Sequence, residues 1–189
     1  MEIQVKTCGS LQYILRYPKD FKETEKLPVL LYLHGSGTRG KALEAVLETD
    51  AYAITAQHAD FPFLMVGPMC PAGATWFDFM ADLKALVAEI SSLPYADTGR
   101  FYGMGASMGG YGIWQLAMSI PETFAAIVPI CGGGMYWAAK RLVDVPVWAF
   151  HGAEDKSVAV FHSDDMVARM KKHGLDVRYS RFDGVGHDV

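Results

Sequence analysis

Residues 105–109 read Gly-Ala-Ser-Met-Gly, a serine with a glycine two positions to either side. A serine hydroxyl attacks a carbonyl only when the chain holds it exposed and a base takes its proton. The G-x-S-x-G spacing serves the first need. At a sharp turn from strand into helix the serine takes a strained backbone conformation, and side chains two residues away would collide across the turn. Glycine removes those side chains, which is the setting of a nucleophile elbow. The flanks agree: the apolar run "FYGMG" (101–105) leads in, and Met108, Tyr111, Ile113, Trp114, Leu116 and Met118 follow before Pro121. Such a turn lifts Ser107 above the carboxyl edge of a sheet, and the helix start offers the Met108 N–H to a developing oxyanion. A phosphate-binding loop fits less well. No G-x-x-x-x-G-K-[ST] is present, and Met108 stands where G-x-G-x-x-G needs its last glycine.

The base must come from six histidines. His34 and His151 each sit in a His-Gly pair at the end of an apolar run, His58 is isolated before the elbow, and His162 and His173 fall in a helical pattern. His187 lies in the glycine-bearing loop "DGVGHDV" after the last strand pattern, from which it can reach the same sheet edge. It is the expected base. The orienting acid is expected in "HGAEDKSV", where Asp155 follows a strand end and Glu154 competes with it. Asp183 suits a turn, and Asp144 precedes its strand and so lies at the wrong edge. The chain order Ser107, Asp155, His187 is the one expected when the nucleophile sits on such an elbow.

These residues need a scaffold, and short apolar runs supply it: "PVLLYLH" (28–34), "FPFLMVGP" (61–68), "FAAIVPI" (124–130) and "VPVWAF" (145–150), besides the run before the elbow. Continuous rather than alternating apolar residues indicate strands buried on both faces of a parallel sheet. "VRYSRF" (177–182) alternates and reads as an edge strand, and "LQYILRYP" (11–18) as an antiparallel edge strand. Helical periodicity fills 77–93, through Met80, Leu83, Val87 and Ile90, and 157–173, through Val160, Val167 and Met170, with Gly174 placed to end it. Alternating strand and helix predicts one α/β domain over 1–189, with a doubly wound, mostly parallel sheet.

Composition narrows the function classes. With 51% hydrophobic and 20% charged residues the chain is ordinary for a globular protein, and a net charge of −4 gives no reason to expect nucleic acid. No apolar run approaches the ~20 residues of a membrane span. The opening "MEIQVKTCGS" has no apolar signal-peptide core, so the chain reads as soluble and cytoplasmic. Cys8, Cys70 and Cys131 form no C-x-x-C and read as buried free thiols, not as a disulfide framework or a metal site. No metal or organic cofactor is expected.

The segments "YLHGSG" (32–37), "GASMGG" (105–110), "FHGAEDKSV" and "GVGHD", with "PICGGG" and "GPMCPAGATW", resemble the α/β-hydrolase superfamily over nearly the whole chain. Within it the chain looks most like small serine esterases of the phospholipase/carboxylesterase and dienelactone-hydrolase-like groups, including their predicted-peptidase relatives. The resemblance implies that Ser107 is nucleophile, Asp155 orienting acid and His187 base. It places a second oxyanion amide at Gly35 or Ser36, beside Met108, and makes His34 structural. Dienelactone hydrolases proper carry cysteine at the elbow, and the serine here favours an ordinary ester. The resemblance also implies a closing helix after the histidine. The chain ends at Val189, so part of one sheet face is expected bare, and a homodimer that covers it is left open.

The segment 131–144 is too short for a cap domain, which predicts an open cleft for a small acyl group or an ester carried on a larger molecule. Trp76, Phe77, Tyr136 and Trp137 are candidates to line it, since aromatic side chains suit acyl groups and sugar rings alike. Short-chain or carbohydrate-linked acyl esters are the expected substrates. A serine peptidase or an acyltransferase would use the same triad, and a non-catalytic binding module could keep the fold.

Overall fold

A computed structural model describes residues 2–58 and 60–189. Within these residues eight strands form one sheet: β1 (Ile3–Cys8), β2 (Leu11–Arg16), β3 (Leu27–Leu33), β4 (Leu64–Pro68), β5 (Ala96–Ala106), β6 (Ala126–Ile130), β7 (Val147–Gly152) and β8 (Val177–Phe182). Their spatial order is β1-β2-β4-β3-β5-β6-β7-β8. The β1–β2 and β2–β4 pairs are antiparallel, and every later pair is parallel. This is the mostly parallel sheet that the uninterrupted apolar runs require. β3, with Val29, Leu31 and Leu33 at 0% exposure, lies at its centre beside the strand that ends in the elbow.

Among the described residues, four α-helices complete the layers: α1 (Asp50–Ala56), α2 (Met80–Ser91), α3 (Met108–Ser119) and α4 (Phe161–Lys172). The larger core, built around Leu31, Leu33, Trp76, Leu86, Ile113, Trp114 and Met166, lies under α2, α3 and α4. α1 and the short helical turn Leu43–Val46 close a smaller core on Ile14, Tyr32, Met65 and Met69. Among the described residues, no helix is long and apolar enough to cross a membrane.

The structure corrects one strand and bears out another. β2 is antiparallel as expected, yet it is not the edge, because β1 pairs outside it from Ile3↔Arg16 to Cys8↔Leu11. β1 carries little hydrophobic signal because it is a solvent-facing edge, with Ile3 and Val5 exposed. β8 is the opposite edge, paired parallel to β7 along Val177–Phe182. On the sheet face away from α3 and α4, Met104, Val128, Ile130, Phe150, Phe182 and Val189 line an open apolar cleft.

All three cysteines are free and buried, and burial pushes each thiol up to about 11. The folded chain is therefore expected to resist a thiol-specific chromogenic reagent at pH 8 and to yield three thiols once unfolded. Rapid labelling of the folded chain would contradict this burial.

Candidate active site

Ser107 stands between β5 and α3 with φ 54° and ψ −116°, a left-handed conformation rare outside glycine. Its N–H donates to Ile130 O at 2.9 Å, and its carbonyl accepts Tyr111 N–H at 3.1 Å, which ties the turn to β6 and α3. The glycines around it answer backbone crowding. A Cβ on Gly105 would lie 2.2 Å from Gly109 O, and one on Gly109 would lie 1.8 Å from Leu33 O. The first-turn N–H of Met108 has no acceptor within its own helix and lies at the positive end of the helix dipole.

Ser107 Oγ is 3.0 Å from His187 Nε2, and His187 Nδ1 is 2.7 Å from Asp155 Oδ2. The Asp155 side chain is fully buried, and its Oδ1 accepts the N–H groups of Ser157 and Val158, each at 2.8 Å. Burial pushes the carboxyl up, but the His187 bond and the two backbone N–H groups outweigh it and hold Asp155 below its usual range. An ionised Asp155 fixes Nδ1–H toward itself, leaving Nε2 free to accept the serine proton. Glu154 is exposed, and Asp183 binds Arg181 at 3.0 Å instead.

His34 is fully buried. Its Nδ1–H donates to Gly35 O at 2.8 Å, and its Nε2 accepts Cys70 N–H at 3.1 Å. Burial lowers its proton affinity, opposed by the Gly35 carbonyl, so the ring is neutral and braces the loop after β3. That loop brings Gly35 against the elbow, where a Cβ on it would lie 3.5 Å from Ser107 Cβ. Ser36 lines the same cleft as Ser107, Met108 and His187, a cavity of about 490 Å³.

The rest of the lining is Thr75, Phe77, Tyr111, Ser157 and Val158. Of the four aromatic candidates only Phe77 belongs to it. Trp76 is a correction: it is fully buried, and its indole N–H donates to His34 O at 2.9 Å. The turn Trp76–Phe79 has about three residues per revolution, so neighbouring side chains diverge by about 120°. Trp76 thus enters the core and Phe77 faces the cleft. Tyr136 and Trp137 lie outside the lining, on the exposed helical turn Tyr136–Leu142, with the Arg169 guanidinium over the Tyr136 ring at 5.5 Å. Tyr111 escaped sequence reasoning although it stands four residues after Ser107, on the same helix face. Ser157 and Val158 are placed by the turn whose N–H groups hold Asp155.

The chain is similar to several known proteins. A solved thermostable esterase shares 32% identity over 92% of this chain and 51% of its own, with a TM-score of 0.75. An uncharacterized secreted protein of Arthroderma benhamiae is 26% identical over 203 residues, 87% of this chain and 22% of that protein. A probable dipeptidyl-peptidase 5 of Aspergillus terreus is 27% identical over 169 residues, 77% of this chain and 22% of that protein. The chain thus spans about half of that esterase and about a fifth of these curated relatives. Residues 75–188, which include the elbow, Asp155 and His187, match the family model described as "Dienelactone hydrolase family". With more than half its length matched and an eight-stranded α/β-hydrolase sheet beneath the site, the chain belongs to the dienelactone hydrolase family.

Proposed function

We propose that this chain is a serine hydrolase of carboxylic esters, acting on short-chain or carbohydrate-linked acyl groups through an acyl-enzyme. The observation that carries the reading is the continuous Ser107–His187–Asp155 relay, 3.0 and 2.7 Å per link, opening into a cleft of about 490 Å³. Ser107 Oγ attacks the ester carbonyl carbon while His187 Nε2 takes its proton. The carbonyl oxygen becomes an oxyanion facing the N–H groups of Met108 and of the Gly35–Ser36 loop. Collapse breaks the bond to the alkoxy oxygen, which leaves as alcohol with the proton from His187. Water, deprotonated by His187, then attacks the acyl carbon and returns Ser107 with release of the acid. Asp155 stays ionised throughout and steadies the imidazolium.

The cleft supports short acyl chains. Phe77, Met108, Tyr111 and Val158 offer apolar walls, and Ser36, Thr75 and Ser157 offer hydroxyls. Among the described residues, only the turn Tyr136–Leu142 intervenes between β6 and β7, too little for a cap over the cleft. In a p-nitrophenyl ester series from acetate to octanoate, kcat/KM is expected to peak at acetate or butyrate. A peak at octanoate would overturn the short-chain assignment. A peptidase reading follows from the dipeptidyl-peptidase relative, and an amide series run beside the esters separates the two. Faster cleavage of dipeptidyl amides than of the best ester would replace the esterase reading.

A further inference from the structure

Asp155 has a second histidine. His151, the fifth residue of β7, is fully buried. Its Nε2 lies 2.9 Å from Val158 O and 3.2 Å from Asp155 Oδ2, the same oxygen that faces His187. Its Nδ1 lies 2.8 Å from Ser163 Oγ, and Ser163 Oγ in turn lies 2.6 Å from Gly132 O.

One proton assignment makes every one of these contacts a hydrogen bond. A backbone carbonyl only accepts, so the single Ser163 hydroxyl proton points at Gly132 O. Ser163 Oγ then presents a lone pair to His151 Nδ1, and that nitrogen must bring the proton of the bond. Val158 O also only accepts, so Nε2 carries a proton too. A ring that donates from both nitrogens bears a positive charge. Buried charge is tolerated only when it is paired and hydrogen-bonded, and the Asp155 carboxylate supplies the pairing.

We propose that His151 is a positioning residue of the hydrolase, an imidazolium that balances Asp155 and fixes the carboxylate oxygen used by His187. It has a role in the chemistry as well as in the fold. Once His187 has taken the serine proton, Asp155 Oδ2 lies between two imidazolium rings. Their repulsion favours release of the proton to the leaving alcohol. Around this cluster stand three uncharged groups, the Cys131 thiol at the end of β6, which burial keeps protonated, the Tyr111 phenol on α3 and the Ser163 hydroxyl on α4, and one charged group, the solvent-exposed Asp188 carboxylate, whose field reaches Cys131. The Glu154 and Lys156 side chains on the same loop are exposed to solvent.

The catalytic half of the proposal rests on the serine-hydrolase reading, whereas the proton count does not, so two measurements separate them. The first is ¹⁵N NMR of the ring nitrogens in the unmodified chain at neutral pH, assigned by through-bond correlation from the His151 backbone to its ring. Two protonated nitrogens on His151 are expected. A single one would overturn the proposal, whether or not the chain turns over esters. The second is the pH profile of kcat/KM on a p-nitrophenyl ester. Glutamine keeps an N–H donor near the Nε2 position and removes the charge. His187 then holds its proton more tightly, and the acid limb is expected to rise by about one pH unit with KM unchanged. An unmoved limb in a folded His151→Gln variant would overturn the catalytic role. If that variant does not fold, the ring nitrogens of the unmodified chain decide. Absence of ester turnover in the unmodified chain would sink the esterase reading and leave the NMR result standing.

Discussion

Ser107→Ala is expected to lower kcat on a p-nitrophenyl ester by about 10⁵–10⁶-fold with the fold intact, the scale typical for loss of a triad nucleophile. Alanine keeps the Cβ, so the strained conformation at φ 54° is no worse than before. What disappears is the Oγ that lies 3.0 Å from His187 Nε2. Residual turnover should come from the oxyanion donors and binding alone. His187→Ala should cost a similar factor, and the double variant little more than either, because the two side chains act as one unit. Steady-state kinetics, with stoichiometric labelling by a fluorophosphonate, reads both effects. Near-normal turnover in Ser107→Ala would show that the hydrolysis observed is not carried by this serine. A double variant whose losses simply multiply would break the link between serine and histidine.

The second large effect is on stability. Gly109→Ala would set a Cβ 1.8 Å from Leu33 O, 2.5 Å from Leu33 C and 2.9 Å from His34 O. All three atoms are backbone at the end of the central strand, so no side chain can turn aside to relieve the contact. Either α3 moves off the sheet or β3 shifts, and both carry the larger core with them. A loss above about 4 kcal/mol is expected, of the size reserved for severe backbone or packing conflicts. The variant should be insoluble, or unfolded in buffer by circular dichroism. Gly37→Ala is the matched control. Nothing lies within 4 Å of its added methyl, and its unfolding free energy from a urea titration should change by no more than about 0.5 kcal/mol. A stable Gly109→Ala chain would mean that the elbow is looser than the Leu33 contact demands.

The residues that were legible in advance share a physical property: their signal is local. The elbow could be read because the strain at Ser107 must be answered by glycines within two positions, and Gly105 and Gly109 are those residues. The central strands β3, β4, β6 and β7 could be read because an unbroken apolar run marks a strand of a parallel sheet covered on both faces. Asp155 and His187 needed one further step. Each lies in a loop directly after a strand, and parallel strands bring such loops to one edge of the sheet.

Other features were silent because they depend on partners distant in the chain. β1 exists because β2 offers it a free edge, not because Ile3–Cys8 is rich in apolar residues. Trp76 and Phe77 are equally aromatic, and only the direction of a tight helical turn sends one to His34 and the other to the cleft. Tyr136 and Trp137 are held on an exposed turn beside Arg169, away from the relay. His151 and His34 each look the same in sequence, a histidine before a glycine. Packing separates them: His34 Nε2 accepts a hydrogen bond from Cys70 N–H, and His151 lies between Ser163 Oγ and Val158 O with the Asp155 carboxylate beside it. Amino-acid order alone was enough for the fold class, the elbow and the two partners of Ser107, since backbone strain and strand burial act over a few residues. The walls of the cleft and the charge beneath Asp155 were decided by the tertiary structure, because side-chain direction and hydrogen-bond partnership are settled only when distant segments meet.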